Sequence, residues 1–236
     1  MIISDTHKFI FIHNPKCAGS SIRAALMKFD TRSNFYSRFG RDYVNEEMDA
    51  YDKKAGVVHV IDKAHIPLAR LRTKYPEDYA LLQDYLTFTM CRHPLSRLLS
   101  AFEEYTRNFH PTPSLLEPID HLERYIDGRM KASATEIRFI HSLPQYIFFS
   151  EGSKIRADII IHLENPTPGI KMLRALASEP ADILQDALAG DRKNASRPTK
   201  EKGRLWHGLS DLTKRKVIDY YEKDFVLLGY STEFPQ

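Results

Sequence analysis

Cysteine is nearly absent: Cys17 and Cys91 are the only two in 236 residues. That excludes a disulfide scaffold and suits a reducing compartment. Charge imbalance is missing as well. Thirty-four Lys and Arg face 31 Asp and Glu, a formal net charge of +3. This is too weak to argue for a nucleic-acid partner, although it permits a local basic pocket for a small polyanion. No apolar run approaches the roughly 18–20 residues of a membrane span. The opening MIISDTHKFIFIHNPK has no basic leading segment and only a short apolar stretch, so it reads as a first core strand and not as a secretory signal. Internal repeats and low-complexity segments are missing too. These absences point to a chain with no membrane span, and a cytoplasmic location is expected.

What is present is an ordinary globular composition, 42% hydrophobic and 28% charged, with 13 Phe and 12 Tyr to fill a core. Lys8 to His13 forms a short apolar run that ends at Asn14-Pro15. Ile22, Ala25, Leu26 and Phe29 follow at helical spacing. Further strands are expected at 56–60, 85–91 and 157–163, and helices near 67–74, 95–102, 118–127, 134–140, 168–189 and 210–223. Segments 106–117 and 190–204 read as exposed loops. Strands alternating with helices, and apolar throughout, predict an α/β fold with a central, mostly parallel sheet flanked by helices. No linker separates two domains, so a single domain over 1–236 is expected.

Two strand ends carry chemistry. In open α/β sheets ligands bind beyond the carboxyl ends of the strands. The first strand runs into Pro15-Lys16-Cys17-Ala18-Gly19-Ser20-Ser21 and then a helix. Backbone N–H groups at a helix start attract an anion, Gly19 allows close approach, the serines add hydroxyl donors and Lys16 adds a point charge. The loop is not a Walker loop, because Lys16 precedes the glycine and no Lys follows it. The other strand ends in Arg92-His93-Pro94-Leu95-Ser96-Arg97-Leu98-Leu99-Ser100-Ala101-Phe102. An arginine fork with the Ser100 hydroxyl suits a second phosphate.

These segments resemble the two nucleotide motifs of sulfotransferases that use 3′-phosphoadenosine 5′-phosphosulfate (PAPS). Residues 15–21 are similar to that family's PKxAG[ST]S loop for the 5′-phosphosulfate, and residues 92–102 to its RxPxxRLxSAF motif for the 3′-phosphate. The nearest branch is the carbohydrate sulfotransferases, including the Golgi-type enzymes. Patches such as His141-Ser142-Leu143-Pro144-Gln145, Ile161-His162-Leu163-Glu164-Asn165, Asn194-Ala195-Ser196, Tyr220-Tyr221-Glu222-Lys223-Asp224-Phe225 and Gly229-Tyr230 extend the likeness to about residue 230.

The resemblance implies a P-loop-like three-layer fold and transfer of a sulfuryl group from PAPS, as co-substrate, to an acceptor hydroxyl without a metal. Lys16 would stabilise the leaving oxygen. Pro15, Lys16, Ala18, Gly19, Ser20 and Ser21 would hold the 5′ end, with Arg92 and Ser100 at the 3′-phosphate. Asn194 and Ser196 would sit in a basic loop, Asp191 to Arg204, that closes over the donor. His65 is the first choice for the base that takes the acceptor proton, with His59, His141 and Glu164 as rivals; His13 reads as a core residue. The acceptor is expected to be a glycan or small molecule, and no nucleic-acid partner is expected. Unlike the Golgi enzymes, the chain shows no membrane anchor or stem. Competing readings are an atypical P-loop kinase or NTPase, and a non-catalytic nucleotide-binding module.

Overall fold

A computed structural model describes residues 1–32, 46–52, 57–62, 64–109, 116–136, 138–190 and 199–235. Its strands are β1 (Ile2–Ser4), β2 (Phe9–Ile12), β3 (Glu46–Asp52), β4 (Val57–Asp62), β5 (Leu86–Cys91), β6 (Ser150–Glu151), β7 (Lys154–Ile155) and β8 (Ile159–His162). Its α-helices are α1 (Gly19–Leu26), α2 (Leu68–Lys74), α3 (Pro76–Ala80), α4 (Pro94–Phe109), α5 (Pro118–Lys131), α6 (Tyr146–Phe149), α7 (Thr167–Leu176), α8 (Ser178–Ala189), α9 (Thr199–Gly208), α10 (Asp211–Tyr220) and α11 (Glu222–Leu228). The chain divides into two compact units. One comprises Met1–Asp49, Val60–Arg92 and Gln145–Asn194; the other comprises Ala50–His59, His93–Pro144 and Ala195–Gln236.

The first unit is mixed α/β. A four-stranded sheet has the order β1-β2-β5-β8, with β2, β5 and β8 parallel and β1 an antiparallel edge. Strand β2 is Phe-Ile-Phe-Ile, and all four side chains are buried. A strand apolar on both faces has to be covered on both. Phe9 and Phe11 pack on Phe88, with ring centroids 5.5 and 5.4 Å apart. Ile22 and Leu26 of α1, Ile170 and Leu173 of α7, and Leu184 of α8 join the same core. Thr87 and Thr89 interrupt the apolar run of β5. Their buried hydroxyls donate to the carbonyls of Arg156 at 2.9 Å and Ile12 at 2.8 Å, which removes most of the cost of burying them. Helix α7 lies close on β8: a Cβ on Gly169 would come within 3.0 Å of the Ile161 Cα. The register pairs Ile12 with Thr89 and Cys91 with His162, so the carboxyl ends of three neighbouring strands share one edge.

The second unit holds α4, α5, α9, α10 and α11 around its own core, which includes Leu98, Phe102, Tyr125, Trp206, Tyr221 and Phe225. Arg97 is wholly buried there. Its guanidinium donates to the carbonyls of His141, at 3.0 Å, and Leu143, and lies 5.8 Å from the Tyr221 ring centre. The Tyr221 hydroxyl donates to the Ser142 carbonyl at 2.5 Å.

The parallel-dominated sheet with flanking helices matches the expected class, and several elements differ in detail. Val57–Asp62 is a strand, but it pairs with β3 in a separate two-stranded sheet and does not join the main one. The helix expected at 134–140 is replaced by turns and a short 3-10 turn at Ile140–Ser142. The cause is arginine. Arg129 donates to the carbonyls of Ala132, at 2.5 Å, and Ser133, at 3.2 Å, ending α5 and taking up acceptors a helix would use. The helical pattern over 168–189 breaks at Ala177 (φ −149°). Pro180 has no N–H to offer the Leu176 carbonyl and would clash with it in one continuous helix. The loop expected over 190–204 gives way to α9 from Thr199. Among the described residues no helix is long and apolar enough to cross a membrane.

Candidate active site

The loop between β2 and α1 has an unusual backbone. Lys16 (φ 64°) and Ala18 (φ 60°) are left-handed, whereas Cys17 between them and Gly19 after them are not. Alternation of hand along consecutive residues turns their N–H groups toward one concavity, the geometry of an anion nest. Holding two non-glycine residues there costs about 1–2 kcal/mol each, a strain that concentrates at binding sites. Helix α1 then starts at Gly19 with no side-chain cap and no acid in its first turn. An uncapped helix start of this kind is chemically suited to an anion. Helices α2, α5, α7 and α8 likewise have no side-chain cap, whereas α10 caps itself, with the Ser210 hydroxyl accepting from the Thr213 N–H. Ser20 is exposed, Ser21 and Lys16 are half-buried, and Pro15 is buried.

Gly19 is required for space. A Cβ there would lie 1.6 Å from Nε2 of His13. The His13 ring, buried at the end of β2, also meets His65, with centroids 4.2 Å apart. The structure thus sets His65, half-buried in the turn before α2, beside the residue that backs the loop.

Gln145, fully buried, joins the two strand ends. Its Oε1 accepts from the Asn14 Nδ2 at 3.1 Å, the Cys17 thiol at 3.5 Å and the Arg92 N–H at 3.0 Å. Its Nε2 donates to the Arg92 carbonyl at 2.7 Å. Asn14 Nδ2 also donates to the Met90 carbonyl at 3.2 Å. The half-buried Arg92 guanidinium reaches the Lys16 carbonyl at 3.4 Å. Lys16 and Arg92, 76 positions apart, are therefore neighbours.

The remaining residues are distributed as follows. Ser100 lies on α4 of the second unit, 3% exposed, and accepts from Lys202 Nζ at 2.7 Å. Arg97 of the same motif holds backbone carbonyls, as described above, so its role is to shape the segment 141–143. His141 is half-buried with its Nδ1 2.7 Å from the Glu104 carboxylate. Glu164 is exposed in the turn after β8, where the Asn165 N–H donates to the His162 carbonyl at 3.1 Å. His59 lies on β4. Asn194 and Ser196 lie outside the described residues. Among the described residues no group of three His, Cys, Asp or Glu could hold a metal ion.

The family model described as "Sulfotransferase family" matches residues 1–231, nearly the whole chain. The chain belongs to the sulfotransferase family. Comparison with curated proteins and with solved structures gives no match. Membership makes this chain a transferase whose chemistry is sulfuryl transfer. Sequence reading located the loop and Arg92. It missed the structural role of Gln145 and the contact between His13 and His65. Both are long-range contacts; Gln145 stood in the His141–Gln145 patch and as a polar residue among the apolar residues 143–149, and neither signal names its partners.

Proposed function

We propose that this sulfotransferase moves the sulfuryl group of PAPS to an acceptor hydroxyl on a carbohydrate or other small alcohol, using a P-loop-like anion cradle. The observation that carries the reading is the direct contact of the Arg92 guanidinium with the Lys16 carbonyl, at the tips of β2 and β5 that Gln145 ties together through Asn14, Cys17 and Arg92. An alternating-hand loop opening an uncapped helix supports a phosphosulfate site at Pro15, Lys16, Ala18, Gly19, Ser20 and Ser21. The motif pattern assigns Arg92 and Ser100 to the 3′-phosphate, and Asn194 and Ser196 to the closing loop.

In the proposed reaction the acceptor oxygen forms a bond to sulfur as the sulfur–oxygen bond to the 5′-phosphate breaks, in line. The Lys16 ammonium neutralises charge growing on the leaving oxygen. His65 accepts the acceptor proton, and its contact with His13 fixes its place beside the loop. The products are a sulfate ester and adenosine 3′,5′-bisphosphate, and no metal enters. His141 is a second candidate base, because its Nδ1 meets Glu104 in the way that orients a catalytic imidazole. The pH–rate profiles of His65→Asn and His141→Asn separate the two: the variant that loses the acid limb identifies the base.

Titration calorimetry with adenosine 3′,5′-bisphosphate and with 5′-AMP tests the donor. The bisphosphate is expected to bind roughly tenfold tighter or more, the yield of one charge-assisted phosphate clamp. Equal affinities would remove PAPS as donor and favour an ordinary nucleotide.

A further inference from the structure

The second unit holds a cavity of about 370 Å³ that none of the residues assigned to catalysis or donor binding lines. Its volume lies near the lower end of the roughly 300–1,000 Å³ of small-molecule sites, so it suits a small ligand. One wall is rigid. Tyr105 of α4 stacks on Phe139, with ring centroids 5.7 Å apart and planes 16° apart. Gly128 of α5 lies against the same ring, where a Cβ would come within 2.8 Å of the Phe139 Cζ.

The charge of the lining is lopsided. Arg124 and Lys131 of α5, together with Arg138, face a single carboxylate, Glu136. Glu136 is buried and pairs with Arg138, so those two charges cancel. Arg124 and Lys131 are exposed, and among the described residues neither meets a carboxylate. The excess is two positive charges. The negative end of α5 also lies here and opposes an anion. Arg129 offsets it, because its guanidinium donates to the carbonyls of Ala132, Ser133 and Phe139.

Spacing then selects the kind of anion. Arg124 and Lys131 are seven positions apart on one face of α5, and Gly128 between them has no side chain. A rise of about 1.5 Å per residue sets their backbones roughly 10 Å apart along the helix. One compact anion meets both only if both side chains fold inward. Two acidic groups at opposite ends of a short chain meet one cation each. Arginine takes a carboxylate by its planar fork, and lysine takes one as a point charge.

We propose that this cavity binds a small organic dianion, a dicarboxylate with its acidic groups at the two ends of a short carbon chain, Arg124 holding one end and Lys131 the other. The methylenes between them face Ala132 and Tyr105, the uncharged part of the lining. The site is separate from the donor reading and does not depend on it.

The test is calorimetry on the full chain at low ionic strength, with adipate and with hexanoate, which has the same chain length and one carboxylate. Adipate is expected to bind with a Kd of about 1 mM or tighter, at least roughly fivefold tighter than hexanoate. Arg124→Gln and Lys131→Gln are each expected to weaken adipate roughly fivefold or more, toward the hexanoate value. Thermal unfolding should not change in either variant, since neither side chain meets a carboxylate among the described residues. Lys154→Gln, an exposed change of equal charge in the first unit, should leave adipate binding as it was. The proposal is overturned if adipate fails to bind at about 10 mM. It is equally overturned if adipate binds no tighter than hexanoate, or if Lys154→Gln weakens it as much as the two α5 variants do.

Discussion

At the scale of residues, the account depends on Gln145 more than on any group with obvious chemistry. One amide satisfies the Arg92 N–H and carbonyl, the Asn14 amide and the Cys17 thiol. Replacing it by leucine removes four buried hydrogen bonds, each worth about 0.5–1.5 kcal/mol net. Gln145→Leu should therefore lose roughly 2–4 kcal/mol of stability in urea unfolding. It should also weaken nucleotide binding, since the two strand tips are no longer tied. Unchanged binding with reduced stability would show that the link is structural only. Gly19 is the complementary case: its role is the absence of a side chain against His13, which a sequence motif records without giving the reason.

At the scale of elements, the N-terminal edge is fixed by an electrostatic knot. The Arg32 guanidinium donates twice to Asp5, at 3.0 and 3.1 Å, and once to Asp78 at 3.0 Å, and the Tyr85 hydroxyl donates to Asp5 at 2.7 Å. The bonds from Arg32, then that from Tyr85, hold the Asp5 carboxyl well below the usual carboxylate range. A depressed folded-state pKa contributes stability above the unfolded value, near 3.9, which is lost as pH falls toward the folded value. Both side chains are about a third exposed (34% for Asp5, 30% for Arg32), so the contribution is about 1 kcal/mol or less. The stability gap between wild type and Asp5→Asn, measured by urea midpoint, should be constant from pH 7 to about 5 and shrink below about pH 4. A gap independent of pH would contradict the assignment.

Much at this scale was legible. Strands β2, β5 and β8 announced themselves by apolar or β-branched runs, and two of them stop at prolines 15 and 94, just past the strand. The helix break at Ala177 was missed, because the apolar spacing runs on through 168–189 and outweighed Pro180, the one residue that marks it. The location of β4 was not legible, because a short Val-rich run says that it pairs without saying with which sheet. Nor was the missing helix near 134–140, since Arg129 takes its carbonyls through contacts that no local pattern encodes.

At the scale of the whole molecule, the two units have no compositional signature. Of the five boundaries between them, two fall between Arg92 and His93 and between Pro144 and Gln145, inside motifs and not in linkers. Each unit has its own apolar core. The net charge of +3 spread over 34 basic and 31 acidic residues leaves the global field weak, so the proposed anion recognition rests on a local arrangement, the loop at 15–21. Transfer of labelled sulfate from PAPS to a panel of glycans and small alcohols, read by mass spectrometry for wild type and Lys16→Ala, is the most direct test. The account predicts a labelled ester and adenosine 3′,5′-bisphosphate from the wild type, with a loss of roughly 100-fold or more in Lys16→Ala; a Lys16→Ala variant that transfers at the wild-type rate would contradict it.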